Sequence, residues 1–232
     1  SARQAVADMG FEQMLGRRNV HKGTDIHKPI IKSFVHSTEV VVGFINSIKK
    51  SLHLEINNNS KSNKFEFMNL IRRVLLRSII EELISPVFVA SDDWEFPFIE
   101  QFMVFQDDLE DATAKSAVLP RFLALTLFLW PIQRRRVKLQ AIIAQRLDTI
   151  LNNGSSRGFW LKSIHDQGHN VDEISEFIVG LLFAAHKNPA IGSAQSYLFL
   201  WERTTTDQQN DARKESEKLL ANPPSSLQQV QY

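Results

Sequence analysis

The sequence has 232 residues, enough for one large domain or two small ones, and 43% of them are apolar, enough to bury a sizeable core. Lysine and arginine number 27 against 26 acidic residues, and the net charge of +1 gives no global attraction to nucleic acid. There is no cysteine. That excludes disulfides, thiolate metal centres, a cysteine nucleophile, and haem-thiolate or iron–sulfur chemistry carried by these residues alone.

Residues 1–24 read as a short helix and loop, with Gly10, Gly16 and Gly23 around the basic pair Arg17 and Arg18. The first residue is Ser1 rather than Met, as after loss of a targeting peptide, although a chain boundary of another origin gives the same start. Lys28–Phe34 reads as a short helix with Pro29 in its first turn, where proline is tolerated. In Thr38–Leu54 the residues Val41, Val42, Phe44, Ile45, Ile48 and Leu52 trace one face of an amphipathic helix. Asn57–Asn63 is a polar, exposed linker.

Phe65–Val89 is the next helix, with a wide apolar face and with Arg72, Arg73, Arg77, Glu81 and Glu82 opposite or flanking it. Pro86 ends it. Asp92 and Asp93 cap a helix to about Lys115 that is rich in phenylalanine at Phe96, Phe98, Phe102 and Phe105. Pro120–Pro131 is a compact apolar segment bracketed by prolines. Gln133–Leu151 is a helix, first basic and then apolar, that stops at Asn152-Asn153-Gly154. A short helix Phe159–Ile164 and a turn Asp166–Asn170 follow.

Asn170–Trp201 organises the rest. Asn170 and Glu173 have the spacing of a capping box, and Phe177–Ala185 is almost wholly apolar, the mark of a buried helix. His186-Lys187-Asn188-Pro189 interrupts the run. Pro189 removes a donor and crowds the preceding turn, so the helix is expected to kink or open there. The alternative is a core helix that ends at Asn188, with a second one from near Ile191. Thr204–Leu220 is a polar, charged helix halted by Asn222-Pro223-Pro224, and the tail 223–232 is loose. No period-two alternation survives over a strand length, so the chain is expected to be all-α, a single helical domain over 1–222. No window reaches about 18 uninterrupted apolar residues, so no transmembrane helix is expected.

The collinear order of these elements resembles the amino-terminal and middle portion of the cytochrome P-450 family, the haem-thiolate monooxygenases, over about 20–220, with sterol-demethylase-like members most similar. Phe177–Trp201 resembles that family's long central helix. Trp130–Leu151 resembles the loop and helix before it, His27–Val35 the haem-side helix, and Asn63–Phe88 the segment after that. The resemblance implies a helical half-fold around one long central helix. In the family's central motif the second glycine falls on Ala185, the acidic position on Lys187 and the oxygen-activating threonine on Asn188, with Pro189 at the next hydroxyl position. Ala185, His186, Lys187, Asn188 and Pro189 are thus the equivalents of a vestigial pocket. Where the family has Trp and Arg toward the haem propionates, this chain has Thr24 and Lys28. The Glu-x-x-Arg helix and cysteine loop would lie beyond Thr204–Leu220. The resemblance therefore implies a pseudoenzyme with no catalytic residue and no cofactor.

His165 and His169 have the i, i+4 spacing of two ligands on a helix, but Gly168 between them and the lack of a third ligand favour an exposed turn over a metal site. His186 reads as a satisfied buried histidine before it reads as a haem ligand. Arg134, Arg135 and Arg136 beside Phe122, Leu123, Leu127, Phe128 and Trp130 form the candidate interface. An apolar plug next to cations suits an anionic lipid surface or a partner helix, against the plainer reading of a solvated helix start beside a core segment. The functional expectation is a non-catalytic accessory subunit of a larger protein assembly, a mitochondrial membrane complex, with other protein subunits as partners and no nucleic acid. The alternatives are one half of a split haem-thiolate monooxygenase and a helical lipid- or ligand-binding module.

Overall fold

The computed structural model describes residues 12, 15–18, 38–59, 66–88, 92–116, 118–152 and 159–221. The expectations for the helix at Lys28–Phe34, for the haem-side resemblance at His27–Val35 and for the tail 223–232 lie outside the described residues. Every described element is helical, as expected of an all-α chain: α1 (Thr38–Asn59), α2 (Phe67–Ile79), α3 (Asp92–Ser116), α4 (Arg121–Ala124), α5 (Trp130–Asn152), α6 (Phe159–Asp166), α7 (Val171–Arg203) and α8 (Thr206–Ala221).

α7 is the centre. It packs on α2 and α5, α1 covers the other side of α2, and α3 lies across α2 and α5. Every residue from Ile174 to Leu182 is buried, which is why this stretch is apolar on all faces. Phe98, Phe102 and Phe105, spaced i, i+4 and i+7, put one face of α3 into the same core as Leu76, Ile143 and Leu182. Burial of each such side chain contributes about 1.5–3 kcal/mol. The capping box at the start of α7 forms as the sequence suggests. Asn170 Oδ1 accepts from the Glu173 amide at 2.9 Å, and Glu173 Oε2 accepts from the Asn170 amide at 3.4 Å.

Pro189 does not divide the helix. α7 runs as one α-helix of 33 residues with Pro189 inside, so it neither opens at the proline nor ends at Asn188. At about 1.5 Å per residue it is about 50 Å long. Asn188 and Pro189 are exposed, so the proline ring itself sits on the outer face of the helix.

Two other prolines reshape helices in a way the sequence did not announce. Ile80–Ile84 and Leu125–Leu129 are π turns, and in each case a proline follows two residues later, at Pro86 and Pro131. Ser85 N–H donates to the Ile80 carbonyl, and Trp130 N–H donates to the Leu125 carbonyl, both across five residues. A proline cannot donate to the carbonyl four residues back, and widening the turn before it relieves the clash. At Ser85 the backbone goes extended, as a residue before proline prefers, and α2 ends. At Trp130 it stays α-helical, φ −67° and ψ −42°, so α4, the π turn and α5 form one continuous rod from Arg121 to Asn152. The segment Pro120–Pro131 is therefore the beginning of α5 and not a separate unit.

The first π turn is fastened from both sides. A Cβ on Gly43 would stand 2.3 Å from a carboxylate oxygen of Glu82, so a larger residue there would have to displace the Glu82 carboxylate. Trp160 of α6 donates its indole N–H to the Leu83 carbonyl at 2.5 Å while its ring meets Phe177 edge-on. Trp160→Phe keeps an aromatic ring, a smaller one, and leaves that carbonyl without the indole N–H, so urea titration is expected to show a loss of at least about 1–2 kcal/mol. A change below a few tenths of a kcal/mol would mean that water replaces the indole.

Candidate functional site

The five central positions Ala185 to Pro189 wind around α7 at about 100° per residue and do not line one wall. Ala185 is half-buried against the core, His186 is fully buried, Lys187 is largely covered, and Asn188 and Pro189 face solvent. The chemistry around His186 and Lys187 is a clasp between helices. His186 Nε2 lies 2.7 Å from the Arg72 carbonyl of α2, and Nδ1 lies 2.7 Å from Gln106 Oε1 of α3. Burial pushes the imidazole down to about 4, with the positive Arg72 and Lys187 adding to the effect against the raising influence of the Arg72 carbonyl. The ring is therefore neutral. Nε2–H donates to the Arg72 carbonyl, which leaves Nδ1 to accept. As placed, Gln106 Nε2 is buried without a partner, and turning the isosteric carboxamide over lets that N–H donate to Nδ1.

Beside the ring, the Arg72 guanidinium makes a two-pronged bond to Asp107 at 2.9 and 3.0 Å, and Lys187 reaches Asp107 at 3.2 Å and Glu110 at 2.6 Å. Burial alone would raise the Asp107 carboxyl, but the hydrogen bonds from Arg72 and Lys187 outweigh it and hold it below its ordinary value. Lys187, where the resembling family is acidic, thus serves as the cation for α3. With both nitrogens of His186 bonded inside the protein, no lone pair of this ring is left for a metal. Among the described residues no group of three or more His, Asp and Glu is arranged to hold one. His165 and His169 face separate carboxylates, Asp166 at 4.0 Å and Glu173 at 3.2 Å.

The candidate interface divides. Phe122, Leu127 and Trp130 are exposed at 68%, 58% and 52%, and Arg134 lies over the Trp130 ring at 4.1 Å from its centroid. Leu123 and Phe128 are half-buried, and Phe128 packs on the core. Arg135 is half-exposed and pairs with Asp108. Arg136 does not belong to the surface. It is 8% exposed, near Glu176 at 4.0 Å and donating to Gln140 at 2.9 Å. Burial pulls its guanidinium down and Glu176 opposes that. The reason is phase: Arg136 is on the α5 face toward α7, one turn from Ile132 and Leu139, and its neighbours are not.

A second apolar surface lies at the far end of α7. The last two turns of α7 run past the body of the fold. Ala194 is the last buried residue, and every residue from Gln195 to Arg203 is exposed. Phe199 and Trp201 are 65% and 64% exposed, Tyr197 is 51% exposed, and Leu198 and Leu200 stand on other faces of the same turns. Tyr197 stacks on Trp201 and touches Phe67 at the start of α2. The polar residues on both sides, Gln195-Ser196 and Glu202-Arg203, were the signal that this run does not continue the core.

Comparisons of the chain with family models, curated proteins and solved structures return no match.

Proposed function

We propose that the chain is a non-catalytic helical subunit that docks into a larger protein assembly through the projecting end of α7. The observation that carries this is the exposure of Tyr197, Leu198, Phe199, Leu200 and Trp201 around the whole circumference of one helix. A helix apolar on all sides belongs inside something, and an exposed cluster of this kind marks an interaction surface. Aromatic residues lead such interfaces. The collinear resemblance to the cytochrome P-450 family supports an origin in a monooxygenase fold. The lack of cysteine in these residues and Asn188 at the oxygen-activating position support loss of its chemistry. A mitochondrial membrane complex is the assembly proposed.

Native mass spectrometry of the full chain isolated with its partners, beside the double variant Phe199→Asp, Trp201→Asp, tests the reading. The expected result is several stoichiometric protein partners for the wild type, and a released species of 26.6 kDa for the variant. Because both side chains are exposed, the melting temperature is expected to stay within the shift of about 0.5 kcal/mol usual for surface changes. A single partner with a haem-thiolate loop and a bound haem would replace this reading with a split monooxygenase. A bare monomer in both samples would replace it with a lipid- or ligand-binding module.

A further inference from the structure

The corner where α4, the π turn and α5 meet carries a second surface with different chemistry. Val118, Phe122 and Leu127 are exposed at 82%, 68% and 58%, and come first along the rod. Trp130 follows, then Arg134 stacked on its ring, then Lys138 one turn further on. Trp130, Arg134 and Lys138 are spaced i, i+4 and i+8 and so share one face of α5. Along the sequence the order is apolar, aromatic, cationic, with Arg121 the one charged residue among the apolar ones. Every charged residue between Asp111 and Asp148 is a lysine or an arginine. The acidic residues of α3 that come nearest are already engaged: Asp108 by Arg135, Asp111 by Lys115 and Glu100 by Arg73.

We infer that this corner seats on an anionic lipid surface, with Val118, Phe122 and Leu127 below the headgroups, Trp130 at their level and Arg134 and Lys138 on the phosphates. A bilayer edge is ordered in depth in the same way, hydrocarbon first, then the zone that indole prefers, then the anionic charge. At about 1.5 Å per residue, Phe122 and Trp130 are about 12 Å apart along the rod, close to the depth that an interfacial element reaches. The contact is with a surface, because no described helix is long and apolar enough to cross a membrane. The π turn has a part in it: the extra residue before Pro131 sets the phase of Phe122 and Leu127 relative to Trp130. The inference does not rest on the docking of α7, and its test separates the two.

The full chain is sedimented with vesicles of phosphatidylcholine alone and of phosphatidylcholine with a minority of phosphatidylglycerol. The expected result is binding to the anionic vesicles that weakens with added salt, and little binding to the neutral ones. Arg134→Gln and Lys138→Gln are each expected to weaken anionic binding about fivefold. Brominated lipid is expected to quench tryptophan emission, and Trp130→Phe to remove that quenching while binding persists. The double variant Phe199→Asp, Trp201→Asp is expected to bind vesicles as the wild type does. No binding to anionic vesicles, binding that survives Arg134→Gln with Lys138→Gln, or quenching that survives Trp130→Phe would overturn the inference. So would loss of vesicle binding in the α7 variant, which would place the lipid contact there. Release of the chain from its assembly by the Arg134 and Lys138 changes, with vesicle binding intact, would make the corner a protein contact and overturn it too.

Discussion

His186→Ala is expected to destabilise the fold by about 4 kcal/mol, the sum of a cavity at a fully buried site and the loss of the buried hydrogen bonds to Gln106 and the Arg72 carbonyl. The ring joins three helices: its own α7, α2 through the Arg72 carbonyl, and α3 through Gln106. It also leans on Phe102, with centroids 6.5 Å apart, so truncation loosens the phenylalanine face of α3 as well. The same residue makes stability depend on pH. Its folded-state value is about 4 against an ordinary 6.5. Between these values the unfolded chain holds a proton that the folded chain does not. The contribution is therefore complete above about pH 6.5 and is lost as the pH falls toward 4, about 3 kcal/mol in all. His186→Gln keeps an amide donor for the Arg72 carbonyl and removes the titration. Urea titrations of wild type and His186→Gln from pH 7 to pH 4 should converge by about that amount. Parallel curves would mean that the folded and unfolded rings protonate alike and that the neutral clasp described above is wrong.

The second large effect is at the seam of α1 and α2. Glu55 and Arg77 face each other at 3.5 Å with side chains 2% and 6% exposed. Burial pulls the Arg77 guanidinium down, and the carboxylates of Glu55 and Glu81 oppose it. Glu55→Ala strands a buried cation with half its support, and a loss of about 3–5 kcal/mol is expected. The paired replacement Glu55→Leu, Arg77→Met fills the same volume without charge, and it is expected to cost far less than the single change or to stabilise the protein. Chemical denaturation of Glu55→Leu, Arg77→Met and the double variant closes the cycle. If the double variant loses as much as Glu55→Ala alone, the pair contributes net stability and desolvation is not the controlling term. This ion pair also explains why α1 continues to Asn59, beyond its apolar stripe and into what reads as a polar linker. The last turns are held by charge, and hydrophobic periodicity carries no sign of that.

Much of the fold was legible in the residues. The apolar stripe of α1, the phenylalanine spacing of α3, and the capping box and apolar run of α7 each depend on local periodicity or on one side chain meeting a nearby amide. A sequence records both directly. The all-α class follows from the same signals. Tertiary structure alone decided the rest. Pro189 was the strongest local signal for a break, yet α7 runs through it, because its first half is buried on every face and the proline ring itself points outward. Pro86 read as the end of its helix, and the helix does end, at Ser85. Pro120–Pro131 read as a segment of its own, but a π turn before Pro131 carries the helix on through Trp130. The Arg134-Arg135-Arg136 run looked like one basic patch until helix phase turned Arg136 inward to Glu176. Whether the apolar residues Tyr197 to Trp201 are covered or exposed was not legible, because composition does not say where a body of packed helices ends. That limit is set by the lengths of α2 and α5 beside α7, a property of how the helices are assembled and not of any one of them.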